Sequence, residues 1–101
     1  MCSLWAQGVR LEGRVVDDNG EPLEMAHVRL AKSSIGTLTN FKGEYSLMLP
    51  EGDSLAIIFT SIGFRRVEKR VNTRAAASAN ENPRIVLNVQ MRTNEAYIND
   101  V

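Results

Sequence analysis

The stretch Asn40-Phe41-Lys42-Gly43-Glu44-Tyr45-Ser46-Leu47-Met48-Leu49-Pro50 decides the class of fold. Its first four residues make a turn: the Asn40 side chain can bond the free backbone groups of a reversal, and Gly43 suits its left-handed position. Tyr45, Leu47 and Leu49 then alternate with Glu44, Ser46 and Met48, a period of two that buries one face of a strand. Pro50 stops that strand. Downstream, Glu51-Gly52-Asp53 turns the chain into Leu55-Ala56-Ile57-Ile58-Phe59, apolar on both faces and so expected to be central and covered on both sides. Ile62-Gly63-Phe64 breaks this run, and Val67 and Val71 mark a charged strand through Arg65–Arg70. Residues 72–84 hold Ala, Asn and Ser but no large apolar side chain. A helix over Arg74–Ala79 would be weakly amphipathic, so the segment reads as a loop. Ile85, Leu87, Val89 and Met91 give a last alternating strand.

Upstream the same grammar holds. Thr37–Thr39 is a short extended piece, with Thr39 placed to bond turn backbone as Asn40 does; Ala26, Val28 and Leu30 alternate with His27 and Arg29. Asp17-Asp18-Asn19-Gly20-Glu21-Pro22 is a dense turn, in which Gly20 supplies a positive φ and Pro22 restarts the chain extended. Val9, Leu11, Gly13 and Val15 share one face of a first strand. Seven short strands without a convincing helix predict an all-β, antiparallel sandwich, with a closed barrel as the competing architecture.

Residues 9–91 form this domain; residues 1–8 read as a signal-peptide remnant or flexible arm, and residues 92–101 as a linker toward a further domain. Cys2-Ser3-Leu4-Trp5-Ala6-Gln7 resembles the end of a secretory signal with cleavage after Ala6, a reading that entails export; the alternative is a cytosolic arm whose Trp5 packs on the domain. The chain has 101 residues, room for one domain. Twelve basic residues balance twelve acidic ones, which removes the electrostatic case for nucleic acid.

Chemistry-bearing residues are sparse. His27 is the only histidine and alternates onto a solvated face, while Cys2 has no base or second thiol near it in sequence. No catalytic, metal or cofactor-binding set is expected. Lys32 and Asn88, with Glu44 as acid, could be proposed for an internal Lys–Asn isopeptide bond, but Asn88 alternates away from the core. Arg65, Arg66, Lys69 and Arg70, with Arg74 beyond them and only Glu68 against them, are the local charge excess, readable as an edge strand guarded against pairing or as a docking surface for an acidic partner or a phosphate-bearing glycan. Trp5, Phe41, Phe64 and Tyr97 are the aromatics that could lie outside the core, scattered rather than paired as a sugar platform requires.

Gly13-Arg14-Val15-Val16-Asp17, Gly20-Glu21-Pro22-Leu23, Ala26-His27-Val28, the run Gly36-Thr37 with Thr39-Asn40-Phe41-Lys42-Gly43-Glu44-Tyr45, Leu49-Pro50 with Gly52, and Ile62-Gly63-Phe64 stand in an order that resembles the carboxypeptidase-regulatory-like domain. The resemblance runs from Leu11 to about Met91. Asn40 stands where that family usually has Asp, and Phe64 where it has Tyr. It implies a transthyretin-like, seven-stranded Greek-key sandwich with Gly20, Pro22, Thr39, Asn40, Gly43 and Gly63 as its turn signature. Such domains stand behind the catalytic domain of metallocarboxypeptidases and at the N-terminus of TonB-dependent outer-membrane receptors, including SusC-like importers. The signal-like Ser3–Gln7 and the ending Ile98-Asn99-Asp100-Val101, similar to the receptors' passage toward the plug, favour the second setting. The implied role is non-catalytic interaction at the periplasmic face of the outer membrane of a Gram-negative bacterium. The implied partners are the receptor's own plug and barrel and an energy-transducing periplasmic protein, with the isolated domain a monomer. A free-standing surface or secreted module that binds carbohydrate or protein is the alternative. The transthyretin-like fold also hosts a urate-pathway hydrolase, but that enzyme's several histidines and terminal tetrapeptide are missing here.

Overall fold

A computed structural model describes residues 8–79 and 83–94. Cys2, Trp5, the signal-like segment, Tyr97 and the ending at Val101 lie outside the described residues. Eight strands and one short helix follow one another: β1 (Val9–Val16), β2 (His27–Leu30), β3 (Gly36–Leu38), β4 (Glu44–Leu49), β5 (Leu55–Thr60), β6 (Val67–Val71), α1 (Thr73–Ala79), β7 (Arg84–Val86) and β8 (Val89–Gln90).

The strands form two four-stranded sheets. In the first, β1 is central, with β4 antiparallel on one side and β7 and β8 on the other. In the second the order is β3-β2-β5-β6, antiparallel throughout. The inner faces meet in one core built from the residues that alternation selects: Leu11 and Val15 of β1, Val28 and Leu30 of β2, Tyr45, Leu47 and Leu49 of β4, and Ile57 and Phe59 of β5. The Tyr45 and Phe59 rings meet edge to face, 5.7 Å apart at 80°, the arrangement their quadrupoles favour.

The all-β sandwich stands as expected, and four details differ. The final strand is split in two, making eight strands, and both pieces run parallel to β1 rather than antiparallel. The register does not slip between them: Glu12 faces Val86 and Val15 faces Val89. In the gap the Arg14 N–H donates to Asn88 Oδ1 (2.9 Å) instead of a backbone carbonyl. The Leu87 carbonyl instead turns inward and accepts from the Tyr45 hydroxyl (2.6 Å).

Thr73–Ala79 is helical where the sequence reads as loop. Asn72 caps it by accepting from the Ala75 N–H (2.9 Å). Thr73, wholly buried, donates its hydroxyl to Pro50 O (2.7 Å) and accepts from the Gly52 N–H (2.8 Å). The helix is therefore pinned to the β4–β5 turn by this hydroxyl together with the Thr73 and Arg74 N–H groups, which donate to Gly52 O (3.0 and 3.1 Å), and not by an apolar stripe.

Lastly, β5 is central but not covered by a layer on both faces. Ile57 and Phe59 face the core; Ile58 points out, between Arg29 and Glu68 across the sheet, and is still only 1% exposed. Long charged side chains can shield such a residue with their aliphatic stems.

Candidate interaction surfaces

The two turns with the strongest sequence signature are copies of one device. Asp17 Oδ1 accepts from the N–H groups of Asn19 and Glu21, and Asn40 Oδ1 accepts from those of Lys42 and Glu44, all at 2.8–2.9 Å. In each turn the glycine N–H closes back on the Asx carbonyl (3.0 Å at Gly20, 2.8 Å at Gly43) with positive φ, 82° and 76°. The surroundings of the two glycines differ. Nothing lies within 4 Å of a β-carbon built on Gly20, whereas one on Gly43 would stand 2.5 Å from Val15 O and 3.1 Å from Pro22 Cβ. The second turn is thus packed onto the first, with Pro22 bridged to Val16. Thr39 is buried and bonds across to the β1–β2 loop rather than to its own turn. It accepts from Ala26 N–H (2.9 Å) and donates to Leu23 O (2.6 Å). Gly63 (φ 87°) accepts from Asn94 N–H (3.0 Å). Beside it Phe64 bridges Thr93 and Arg65 N–H donates to Arg92 O (2.9 Å). Asp18, which the sequence did not single out, accepts from Thr93 N–H (3.0 Å) and Oγ1 (3.1 Å). The segment after β8 is therefore held between two loops at one end of the sandwich.

The four basic residues do not form one surface. Alternation along β6 puts Arg66, Glu68 and Arg70 on the outer face, with Glu68 between its neighbours: 3.2 Å to Arg70 and 4.0 Å to Arg66. Lys69 lies opposite the core-facing Ile57 and so projects from the inner side of the sheet's edge. Arg65 lies before the strand, its backbone occupied by Arg92. Arg70 also donates to Ser54 Oγ (3.2 Å). Exposed pairs of this kind contribute ~0–1 kcal/mol each, so the cluster adds little to stability.

The outer face of the first sheet holds a shallow hollow of about 610 Å³, where Arg10, Arg14, Glu12 and Glu44 balance one another. His27 is exposed on β2, between Leu38 and Thr60. Asn88 is engaged with Arg14 on the first sheet and Lys32 sits in the β2–β3 turn of the second, so the isopeptide trio is not assembled. Phe64 packs against the core while Phe41 is exposed with Lys42 over its ring at 5.7 Å, so the two make no shared platform. Among the described residues, no three His, Cys, Asp or Glu converge to hold a metal. Burial pushes the Tyr45 phenol above its usual range, which suits a hydroxyl that donates and does not ionise.

Solved structures with this fold include catechol 1,2-dioxygenase from Acinetobacter (TM-score 0.66, 13% identity, 95% of this chain and 56% of that one). A chain of a type II cohesin–X-dockerin complex from Acetivibrio cellulolyticus is also similar (TM-score 0.62, 12% identity, 83% and 57%). At such identities the likeness is one of fold alone. A curated relative, the TonB-dependent receptor SusC of Bacteroides thetaiotaomicron, is 34% identical over 64 residues, 63% of this chain. The aligned region spans only 6% of that receptor's length. Residues 11–101 match the family model described as the CarboxypepD_reg-like domain, and the chain belongs to that family.

Proposed function

We propose that this chain is the non-catalytic N-terminal domain of a TonB-dependent outer-membrane receptor, placed in the periplasm, whose whole chain imports a large nutrient such as a glycan. The observation that carries the reading is the 34% identity to the SusC receptor within a family whose model spans residues 11–101. The geometry suits a module that is held and touched rather than one that performs chemistry. Its polar side chains are spent on turns and on strand closure, as at Asp17, Thr39, Asn40, Thr73 and Asn88. The described chain enters at β1 beside Pro83 and leaves at the opposite end, where Asn94 meets Gly63. A domain strung in this way can sit in series between an exported N-terminus and a plug. Its surfaces for the receptor's periplasmic side or an energising partner are the β6 edge and the twin turns.

The test is an immunoblot of fractionated native cells with an antibody raised against residues 9–91. A band many times heavier than this domain in the outer-membrane fraction supports the reading. A small soluble band overturns it in favour of an independent binding module.

A further inference from the structure

The second sheet's outer face carries a groove of about 470 Å³. Lys32 and Ser33 of the β2–β3 turn line one side, Arg66 and Arg70 the other, and Ala56 and Ile58 lie between them. Three cations thus surround an apolar strip with one carboxylate, Glu68, which Arg66 and Arg70 share. Among the described residues Lys32 has no ion-pair or hydrogen-bond partner for its ammonium, and Arg29, in the row of Ile58, adds a fourth positive charge nearby. The chain's formal charge is zero, and Asp53, next to the groove-lining Ser54, is engaged by Arg74 (3.4 Å), which leaves the groove walls net cationic. The described acidic residues Asp17, Asp18, Glu21 and Glu24 are gathered in the β1–β2 loop, at the other end of β2.

The backbone adds an independent sign. Lys32 is held at φ 62°, a conformation that glycine or asparagine adopts at less cost. Here it keeps an exposed ammonium at the rim of the groove.

We propose that this groove binds an acidic, extended peptide segment of a protein partner, with carboxylates on Lys32, Arg66 and Arg70 and apolar side chains laid on the half-buried Ala31 and Ala56. No aromatic ring lines the groove, so a sugar has nothing to stack on. An extended acidic chain matches both its apolar floor and its cationic walls, and desolvation there strengthens each charge pair. The proposal deepens the interaction role above and rests on it for the biological setting only. Binding to the purified chain can fail while the receptor assignment stands, and the reverse.

The test is a ¹H–¹⁵N NMR titration of the 101-residue chain with a short synthetic peptide alternating glutamate and leucine, beside its lysine–leucine counterpart and a sulfated oligosaccharide. The expected result is shifts confined to the Lys32–Ser33, Ser54–Ile58 and Arg66–Arg70 segments for the glutamate peptide alone. Affinity should fall by about tenfold or more in an Arg66→Glu/Arg70→Glu variant and steeply with added salt. Lys32→Gly should weaken binding by roughly threefold or more while leaving the melting temperature unchanged or raised, because it removes the charge and relieves the backbone together. Equal binding of the two peptides, shifts centred elsewhere, preference for the sulfated sugar, or undiminished affinity in the folded charge-reversed variant would overturn it.

Discussion

Replacing Gly13 by alanine should cost this domain a large part of its stability, although the site has no positive φ and lies in a strand. A β-carbon there would stand 1.9 Å from the Leu87 carbonyl oxygen and 2.6 Å from its carbon. Relief requires the Leu87 peptide to retreat by about 1 Å or more, since packed interiors do not tolerate such overlap. Three bonds meet at residues 87 and 88: Tyr45 hydroxyl to Leu87 O (2.6 Å), Leu87 N–H to Glu12 O (2.8 Å) and Arg14 N–H to the Asn88 side-chain Oδ1 (2.9 Å). The retreat stretches all three beyond useful length. The buried Tyr45 hydroxyl left unpaired costs ~1–3 kcal/mol and the other two bonds ~1 kcal/mol each, so the loss should be ~3–5 kcal/mol. A domain of this size has ~5–15 kcal/mol in total. Urea unfolding followed by circular dichroism measures the difference, with Tyr45→Phe as the companion expected to lose less than half as much. Without the clash, alanine would stabilise the strand by ~0.4–1 kcal/mol through the unfolded state. A Gly13→Ala protein as stable as the parent, or more so, would refute the closure described for the gap between β7 and β8.

Thr39→Val keeps the shape but strands the Ala26 N–H and Leu23 carbonyl, and should cost ~2–4 kcal/mol in the same urea assay, while Thr39→Ser should cost much less. Gly43→Ala should be at least twice as destabilising as Gly20→Ala, which meets only its backbone penalty of ~1 kcal/mol, and paired melting curves compare them directly. Thr73→Val should loosen α1 on the β4–β5 turn, leaving only its backbone bonds to Gly52, read as faster hydrogen exchange at residues 75–79 with the sheets still protected. Tyr45 is held above its ordinary value by burial. Its contribution is therefore complete below the unfolded value of about 10 and is lost as pH rises beyond it. Stability should accordingly fall above pH ~10 in the parent, and less so in Tyr45→Phe, as thermal melts across that range would show.

The sheets were legible because alternation is a local property. Tyr45, Leu47 and Leu49 face the core in the register their spacing demands. Turn chemistry was equally plain at Asn40 and Gly43, whose side-chain acceptor and positive φ are local too. Strand direction is not local: nothing in Ile85 to Met91 says that the strand runs parallel to β1, nor that Asn88 will stand in for a carbonyl midway. The helix escaped because its anchor is polar, the buried Thr73 hydroxyl and two backbone bonds to Gly52, and not a hydrophobic stripe, although Asn72 three residues before Ala75 carried the capping signal. Ile58 misled in another way, since its burial under charged neighbours looks in sequence like a second covering layer. The basic run was visible as a run. Its division, with Arg66 and Arg70 on the outer face and Lys69 on the inner edge, needed the register of β6, and the contribution of Lys32 needed the fold.

Nutrient uptake by native cells whose chromosomal copy lacks residues 9–91 tests the central claim most directly, with receptor level in the outer membrane and substrate binding at the cell surface measured alongside. The account predicts that level and surface binding persist while uptake falls to a small fraction of the parent's, as the proposed role in import through contacts requires. Uptake at the parental rate, from a receptor present at its normal level, would contradict it.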